Sequence, residues 1–307
     1  MNEVFFVLSK KGKFTAARLL SEYEHIFICP ICLHSMQVVD LKSLICSNRH
    51  CFDLSKKGYV NLTTHALKTK YDKKLFEARK TISDKGFFEP LMTRICDNIL
   101  RELKPSGQRI TILDAGCGEG SHLSDIQHKI MAQSECNLLG IGMDISKEGI
   151  HMASNLSSKT IWCVADLAKP TFADKQFNFI LNILSPSNYS GFQRILQDQG
   201  MVIKVIPEAR YLQELRGIFY KSTDRDIYSN QKTMELFKHH FDLVDIQRVR
   251  YGVNMDREDI KQLVHMTPLS WGATEELKEH AWSRIKGEIT FDFSILLGSR
   301  SQEANRR

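Results

Sequence analysis

Two short runs of metal-binding residue types stand out first: Cys29-Pro-Ile-Cys32 and, thirteen residues later, Cys46-Ser-Asn-Arg-His50. A C-x2-C turn sets two thiolates on one knuckle, and a second knuckle supplies the other corners of a tetrahedron. Three cysteines and one histidine form a closed set, with no open position for a catalytic water, so the expected zinc is structural. Cys51, beside His50, is the alternative fourth ligand. About forty residues bury too little apolar surface to fold alone, and a metal replaces the missing core. The remaining cysteines, Cys96, Cys117, Cys136 and Cys163, are scattered and read as reduced core or loop thiols.

A second constellation is Leu113-Asp-Ala-Gly-Cys-Gly-Glu-Gly120. Asp114, Gly116, Gly118 and Gly120 form a D-x-G-x-G-x-G loop rather than the G-x-G-x-x-G of dinucleotide binders. An acid two residues before the first glycine suits a ligand with a sulfonium and an ammonium and no phosphate, namely S-adenosylmethionine. Asp144 ends the next apolar run and is placed for ribose hydroxyls. Asp166, followed by Leu167, ends the third and is placed for the adenine amino group. The loop after the fourth run, Asn182-Ile-Leu-Ser185-Pro186-Ser-Asn188-Tyr189, should border the methyl group, because ligands sit outside the carboxyl ends of parallel strands. Its amides and ring loosely resemble the Asn-Pro-Pro-Tyr loop of enzymes that methylate base amino groups, where an aromatic stacks on an extruded base. The alternative for Tyr189 is a ring packed within its own loop.

These residues need a scaffold, and the apolar runs supply one. Seven runs alternate with amphipathic segments: Ile110–Asp114, Leu138–Asp144, Thr160–Ala165, Phe177–Leu184, Met201–Ile206, Leu243–Val249 and Ile289–Leu297. Continuous apolar strands separated by helices indicate a mostly parallel sheet covered on both faces. The expected architecture is therefore α/β, a Rossmann-like class I methyltransferase fold with a seven-stranded sheet and a small N-terminal zinc-binding module. Residues 1–65 form an N-terminal helix (about Ala16–Tyr23) and the zinc module, 66–105 a basic helical linker, and 106–300 the methyltransferase domain. An insertion around His265-Met-Thr-Pro-Leu-Ser-Trp271 is expected to cover the substrate or to pack.

The 307 residues are 42% apolar and 25% charged, a soluble globular balance with no apolar run near the roughly 20 residues of a membrane span. Val4–Leu8 is too short for a signal core, so a cytoplasmic protein without membrane partners is expected. The net charge of +6 mildly favours a polyanion. From Lys56 to Lys85 nine Lys or Arg face three acids, either a phosphate-tracking stripe or a solvated helix face.

In combination the chain resembles the bacterial 23S ribosomal RNA guanine-N1 methyltransferases of the RlmA type, in the form found in Gram-positive bacteria. The motifs carrying the resemblance, besides the knuckles and the glycine loop, are Lys57–Leu62, Ser185–Tyr189, Ile203–Pro207 and Met266–Trp271. The resemblance implies zinc on Cys29, Cys32, Cys46 and His50, and a cofactor pocket touched by Phe88, by Ser121 with His122, and by Tyr211. In the better-known branch these positions tend to hold Tyr, a Tyr pair and His, so individual contacts differ here. It also implies methylation of a guanine in a hairpin loop of 23S ribosomal RNA, where macrolides bind, with an effect on macrolide susceptibility. Guanine N1 must lose a proton, and the sequence does not single out the base. A homodimer is compatible with the sequence, which does not fix the oligomeric state. Rival readings are a methyltransferase of a quinone or lipid precursor and a non-enzymatic RNA-binding protein.

Overall fold

The computed structural model describes residues 13–65, 71–103, 107, 109–156, 159–169, 171–220, 229–285 and 287–301. The described residues begin with α1 (residues 13–22), whose buried Ala17 and Leu20 share a hydrophobic cluster with Met36 and Leu44 of the sheet that follows. A three-stranded antiparallel sheet comes next: β1 (Met36–Val39), β2 (Ser43–Cys46) and β3 (Cys51–Asp53). Then come β4 (Val60–Asn61), α2 (Lys73–Asp84), capped by Asp72 through the Leu75 N–H at 2.8 Å, and α3 (Glu89–Glu102).

The rest alternates as the apolar runs require. In order it comprises β5 (Arg109–Ala115), α4 (Ser121–Gln133), β6 (Asn137–Asp144), α5 (Lys147–Ala153), β7 (Thr160–Val164), β8 (Phe177–Ile183) and α6 (Tyr189–Ile195). It continues through β9 (Leu196–Pro207), α7 (Gln213–Phe219), α8 (Gln231–His240), β10 (Phe241–Met255), α9 (Arg257–Met266), α10 (Glu275–Arg284) and β11 (Gly287–Arg300). All seven apolar runs are strands, and the last two are longer than their apolar cores because they pair with each other as a long antiparallel ribbon.

The large sheet runs β10-β11-β9-β8-β5-β6-β7-β4. Only β11 is antiparallel to its neighbours. The order reverses between β5 and β8, the crevice where such sheets bind ligands. The sheet has eight strands, one more than the seven apolar runs. The extra one is β4, two residues from the end of the zinc module, paired in parallel with Cys163 and Val164 of β7.

The N-terminal module is fused to the sheet rather than tethered to it. Phe27 bridges Phe172, the two rings lie 5.4 Å apart, and Leu20, Tyr23, Ile26 and Phe27 share one hydrophobic cluster with Leu113, Ile141 and Phe177. The basic stretch 71–103 is likewise core structure: Phe76, Ala78 and Ile82 of α2 and Leu91, Ile95 and Ile99 of α3 are buried. Packing thus crosses the expected boundaries at 65 and 105. The reason is amphipathic periodicity in α2 and α3, which in α2 is masked by lysines.

Candidate active site

In the zinc module both knuckles have the same construction. The Cys29 N–H bonds the His34 carbonyl while the Leu33 N–H returns to the Cys29 carbonyl. The Cys46 N–H bonds the His50 carbonyl while the Arg49 N–H returns to the Cys46 carbonyl. Leu33 and Arg49 both sit at φ 63°, the left-handed turn that closes each knuckle. Backbone N–H groups of Ile31 and Cys32 point at the Cys29 sulfur, and that of His34 at the Cys32 sulfur.

The ligand atoms of Cys29, Cys32, Cys46 and His50 lie within 4.8 Å of one another. Cys32 Sγ and Cys46 Sγ are 3.6 Å apart, and His50 Nδ1 is 3.5 Å from the sulfurs of both Cys29 and Cys46. A tetrahedron with Zn–S of about 2.3 Å and Zn–N of about 2.0 Å has edges of about 3.8 and 3.5 Å. The donor set therefore fits zinc through Nδ1 of His50. Cys51 is exposed and turned to the Asp53 carboxylate at 3.7 Å, outside the cluster.

The second constellation opens onto a cavity of about 550 Å³ at the carboxyl ends of β5, β6, β8 and β9. That is the size range of small-ligand sites. Of the residues singled out by sequence, Phe88, Asp114, Gly116, His122, Asp144, Asp166, Leu167, Ser185, Pro186 and Tyr211 line it. Gly118, Gly120, Ser121, Asn182, Asn188 and Tyr189 do not.

The glycines have separate reasons. Gly116, at φ +89°, lies against Ser185 of the loop after β8, and a Cβ there would be 2.6 Å from the Ser185 Cβ. Gly120, at φ +83°, makes room for Trp162, which a Cβ would meet at 2.5 Å. Gly118 gives its N–H to one oxygen of Asp144 at 2.8 Å, and the Ser146 N–H takes the other at 2.8 Å. Asp144 is thus locked at the strand end, with its lone pairs only partly used.

Carboxyls are concentrated here: Asp114 and Asp144 line the cavity, and Glu119, in the glycine loop, is buried. Burial pushes the Asp114 carboxyl up to about 8, with Asp144 and Glu119 adding to the rise and Arg79 opposing it. Burial also raises Glu119 and Asp144. Glu119 Oε2 has no protein partner among the described residues. Three crowded, desolvated carboxyls suit a cationic ligand, which would favour their charged forms. Aromatic residues share the cavity with them. Phe88 meets His122 at 5.0 Å, edge to face, and Tyr211 lies 4.9 Å from Phe293. Burial, then Arg79, pushes the His122 imidazole down to about 3, so it is neutral, and its Nε2 has no partner among the described residues. Acids beside aromatics match the charge and the adenine surface of S-adenosylmethionine, so these residues fit that group.

The loop after β8 is held from beneath. Buried Asn182 donates through Nδ2 to the Ala115 and Pro186 carbonyls at 2.9 and 2.8 Å and to Ser185 Oγ at 2.6 Å. Asn188 caps α6 through the Gly191 N–H at 3.1 Å and donates to the Leu167 carbonyl at 2.7 Å. Neither amide is free for a base. Tyr189, for which the sequence left a stacking and a packed ring open, is buried among Phe192, Phe237, His240 and Phe241, with ring centroids 5.5–6.3 Å apart. The first residue of α6 turns its side chain toward α8 and away from the cavity, which is why it cannot stack on a ligand there.

Several cavity residues escaped the sequence reading. Tyr71 and Arg79 come from the segment taken for a linker, and Arg216 from α7. Lys204 sits in β9 opposite Asn182. The signal for Lys204 was available, since a lysine inside an apolar run of a doubly covered strand must find partners. Met266, Thr267, Pro268 and Leu269 of the insertion also line the cavity, and Trp271 rests edge-on against Tyr71 at 5.5 Å.

Comparison with known proteins decides the family. YxjB of Bacillus subtilis, to which a 23S rRNA (guanine-N(1)-)-methyltransferase activity is provisionally ascribed, is 42% identical over 277 residues, 90% of this chain and 97% of that one. This chain belongs to the 23S rRNA (guanine-N1) methyltransferase family. A second member, the 23S rRNA (guanine(748)-N(1))-methyltransferase of Streptomyces fradiae, is 28% identical over 79% of this chain and 85% of its own. The family model described as RlmA, N-terminal, a zinc ribbon, matches residues 27–65, which contain all four ligands. Among solved structures, the YcgJ protein of Bacillus subtilis aligns at 16% identity and a TM-score of 0.42 over 68% of this chain and 98% of that one. So distant an alignment adds nothing to the topology above. No helix among the described residues is long and apolar enough to cross a membrane.

Proposed function

We propose that this protein transfers a methyl group from S-adenosylmethionine to N1 of a guanine in a hairpin loop of 23S ribosomal RNA, and thereby modulates macrolide susceptibility. The observation that carries this reading is the near full-length similarity to YxjB. The cavity supports it: its lining includes the strand-end acids Asp114, Asp144 and Asp166, Gly116 of the glycine loop, and Ile183, Leu184, Ser185 and Pro186 at the end of β8 and in the loop after it. S-adenosylmethionine, when bound, supplies the electrophilic methyl. Asp144 and Asp166 are the residues to hold its ribose and adenine amino group, Asp114 and Glu119 to offset its positive charge, and Phe88 and Tyr211 to exclude water. Ser185 and Pro186 then present the acceptor. Holding two reacting atoms about 3 Å apart on one line supplies much of the rate, and a loop guanine is cheap to extrude.

The test is mass mapping of 23S ribosomal RNA from a deletion strain. One guanine should lose a methyl and regain it on complementation, and the strain's macrolide tolerance should change with it. An unchanged methylation map would end the reading. A metabolite methylated in its place would favour the small-molecule alternative.

A further inference from the structure

Lys204 is 4% exposed, yet its ammonium forms no ion pair among the described residues. Its Nζ donates to Asn182 Oδ1 and to the Ser185 carbonyl, each at 2.6 Å, and the residue lines the cavity. A neutral amine has two N–H bonds and one lone pair. The two acceptors account for both N–H bonds, and the lone pair is left over beside the loop that borders the acceptor. Resting on the guanine-N1 reading above, we propose that Lys204 is the catalytic base that removes the N1 proton.

The step balances within the site. The lone pair of neutral Nζ takes the proton from N1, giving an ammonium. The N1 electron pair forms the bond to the methyl carbon as the carbon–sulfur bond breaks, and that bond's pair stays on sulfur as a neutral thioether. The ammonium then returns its proton to water. Burial alone pushes the Lys204 amine down to about 8, so a useful neutral fraction exists at physiological pH.

The surroundings leave this role open. Among the described residues the cavity's other ionisable groups are the carboxyls Asp114, Asp144 and Asp166, the cations Arg79 and Arg216, the imidazole of His122, the phenols Tyr71 and Tyr211, and the thiol of Cys117. None of them is a cause of the Lys204 shift. On the flanking strands, β8 carries no ionisable side chain, and Asp292 of β11 is committed to Arg248 at 2.7 Å. Asp144 is engaged by the Gly118 and Ser146 N–H groups, and His122 is too weak a base at about 3. Lys204 alone among the cavity's proton acceptors is bonded to the loop after β8.

Lys204→Met and Lys204→Arg test this. Arginine keeps the charge and donors but does not give up a proton in this range. Single-turnover methylation of 23S ribosomal RNA would be followed from about pH 6 to about 10, with S-adenosylhomocysteine affinity by calorimetry and RNA affinity by filter binding. Wild type should accelerate up to about pH 8 and level off. Both variants should bind the two ligands within a few-fold of wild type and lose rate on the order of 10²-fold or more. Their residual rate should climb steadily with pH as N1 ionises in solvent. Near-normal turnover by Lys204→Arg, or an unmoved inflection in either variant, overturns the assignment, because charge and bonding alone would then suffice. Should Lys204→Met misfold, Lys204→Arg decides by the same criterion. If wild-type enzyme leaves no methyl on N1, the functional reading has failed first and the base falls with it.

Discussion

Ser185 occupies the space that a side chain on Gly116 would need, and its hydroxyl donates to the neighbouring Ala115 carbonyl at 2.7 Å. The glycine loop and the loop after β8 are therefore one packed unit. Gly116→Ala meets both a left-handed φ and this contact. It should lower unfolding free energy by about 1–3 kcal/mol in urea titrations and weaken S-adenosylhomocysteine binding. A variant as stable and as tight as wild type would show that the two loops move independently.

Asp144 is the second lever on that pocket. Asp144→Ala should cost about 2–3 kcal/mol of cofactor affinity by calorimetry, since charged acceptors make the stronger hydrogen bonds. Part of the loss should come from freeing the Gly118 N–H. Asp144→Asn, which keeps one acceptor oxygen, should fall between the two.

The buried carboxyls give a pH signature. Asp114 titrates at about 8 in the folded chain, above its usual value of 3.8. Between those values the folded state holds more protons than the unfolded one, so stability is greatest at the acid end and falls as pH rises toward 8. Glu119 and Asp144, also raised, act in the same sense. Denaturant midpoints of ligand-free protein should decline over that range, less steeply in Asp114→Asn. Binding a cationic cofactor should release protons, visible as a binding enthalpy that varies with buffer ionisation enthalpy. Proton uptake instead would contradict the assignment.

One equivalent of zinc per chain is expected by metal analysis. Cys32→Ala and His50→Ala should lose it, whereas Cys51→Ala should retain it, because that thiol points to Asp53.

The basic stretch is a harder case. Lys73 pairs with Glu77 at 3.2 Å, Lys80 with Asp84 at 2.7 Å and Lys85 with Asp259, while Arg79 faces the cavity. Lys68 and Lys70 lie outside the described residues. Charge reversal at Lys68, Lys70, Lys73 and Lys74 should still raise KM for RNA and flatten its salt dependence with cofactor affinity unchanged. Wild-type values for both would reduce the stripe to a solvated face.

The elements most legible in the sequence were those with the simplest physics. The buried strands of the sheet announce themselves as apolar runs, whereas β10, an edge strand with many exposed residues, shows a broken one, and paired knuckles announce a metal. What escaped depended on tertiary position. Two residues, Val60 and Asn61, are too few to show a period. Arg79 on a charged helix reads like any solvated arginine until the fold brings that helix to the cavity wall. Tyr189 was ambiguous because a loop ring stacks on a base or packs inward with equal chemical sense, and only the placement of α8 decides. Lys204 was visible as an anomaly within Ile203–Pro207, but its partner Asn182 is set by strand register.

The pairing of β4 with β7 bears on how the protein can be cut. Every residue of β7 is buried, and on its outer side Cys163 and Val164 pair with the β4 that the ribbon delivers. A fragment beginning at residue 106 would bare an apolar, unpaired strand, the kind of edge that recruits other chains. Such a fragment should precipitate or self-associate on expression, and stripping the metal from intact protein should start the same process slowly. The ribbon then serves a second purpose, as the guard that keeps this enzyme's sheet from becoming a template.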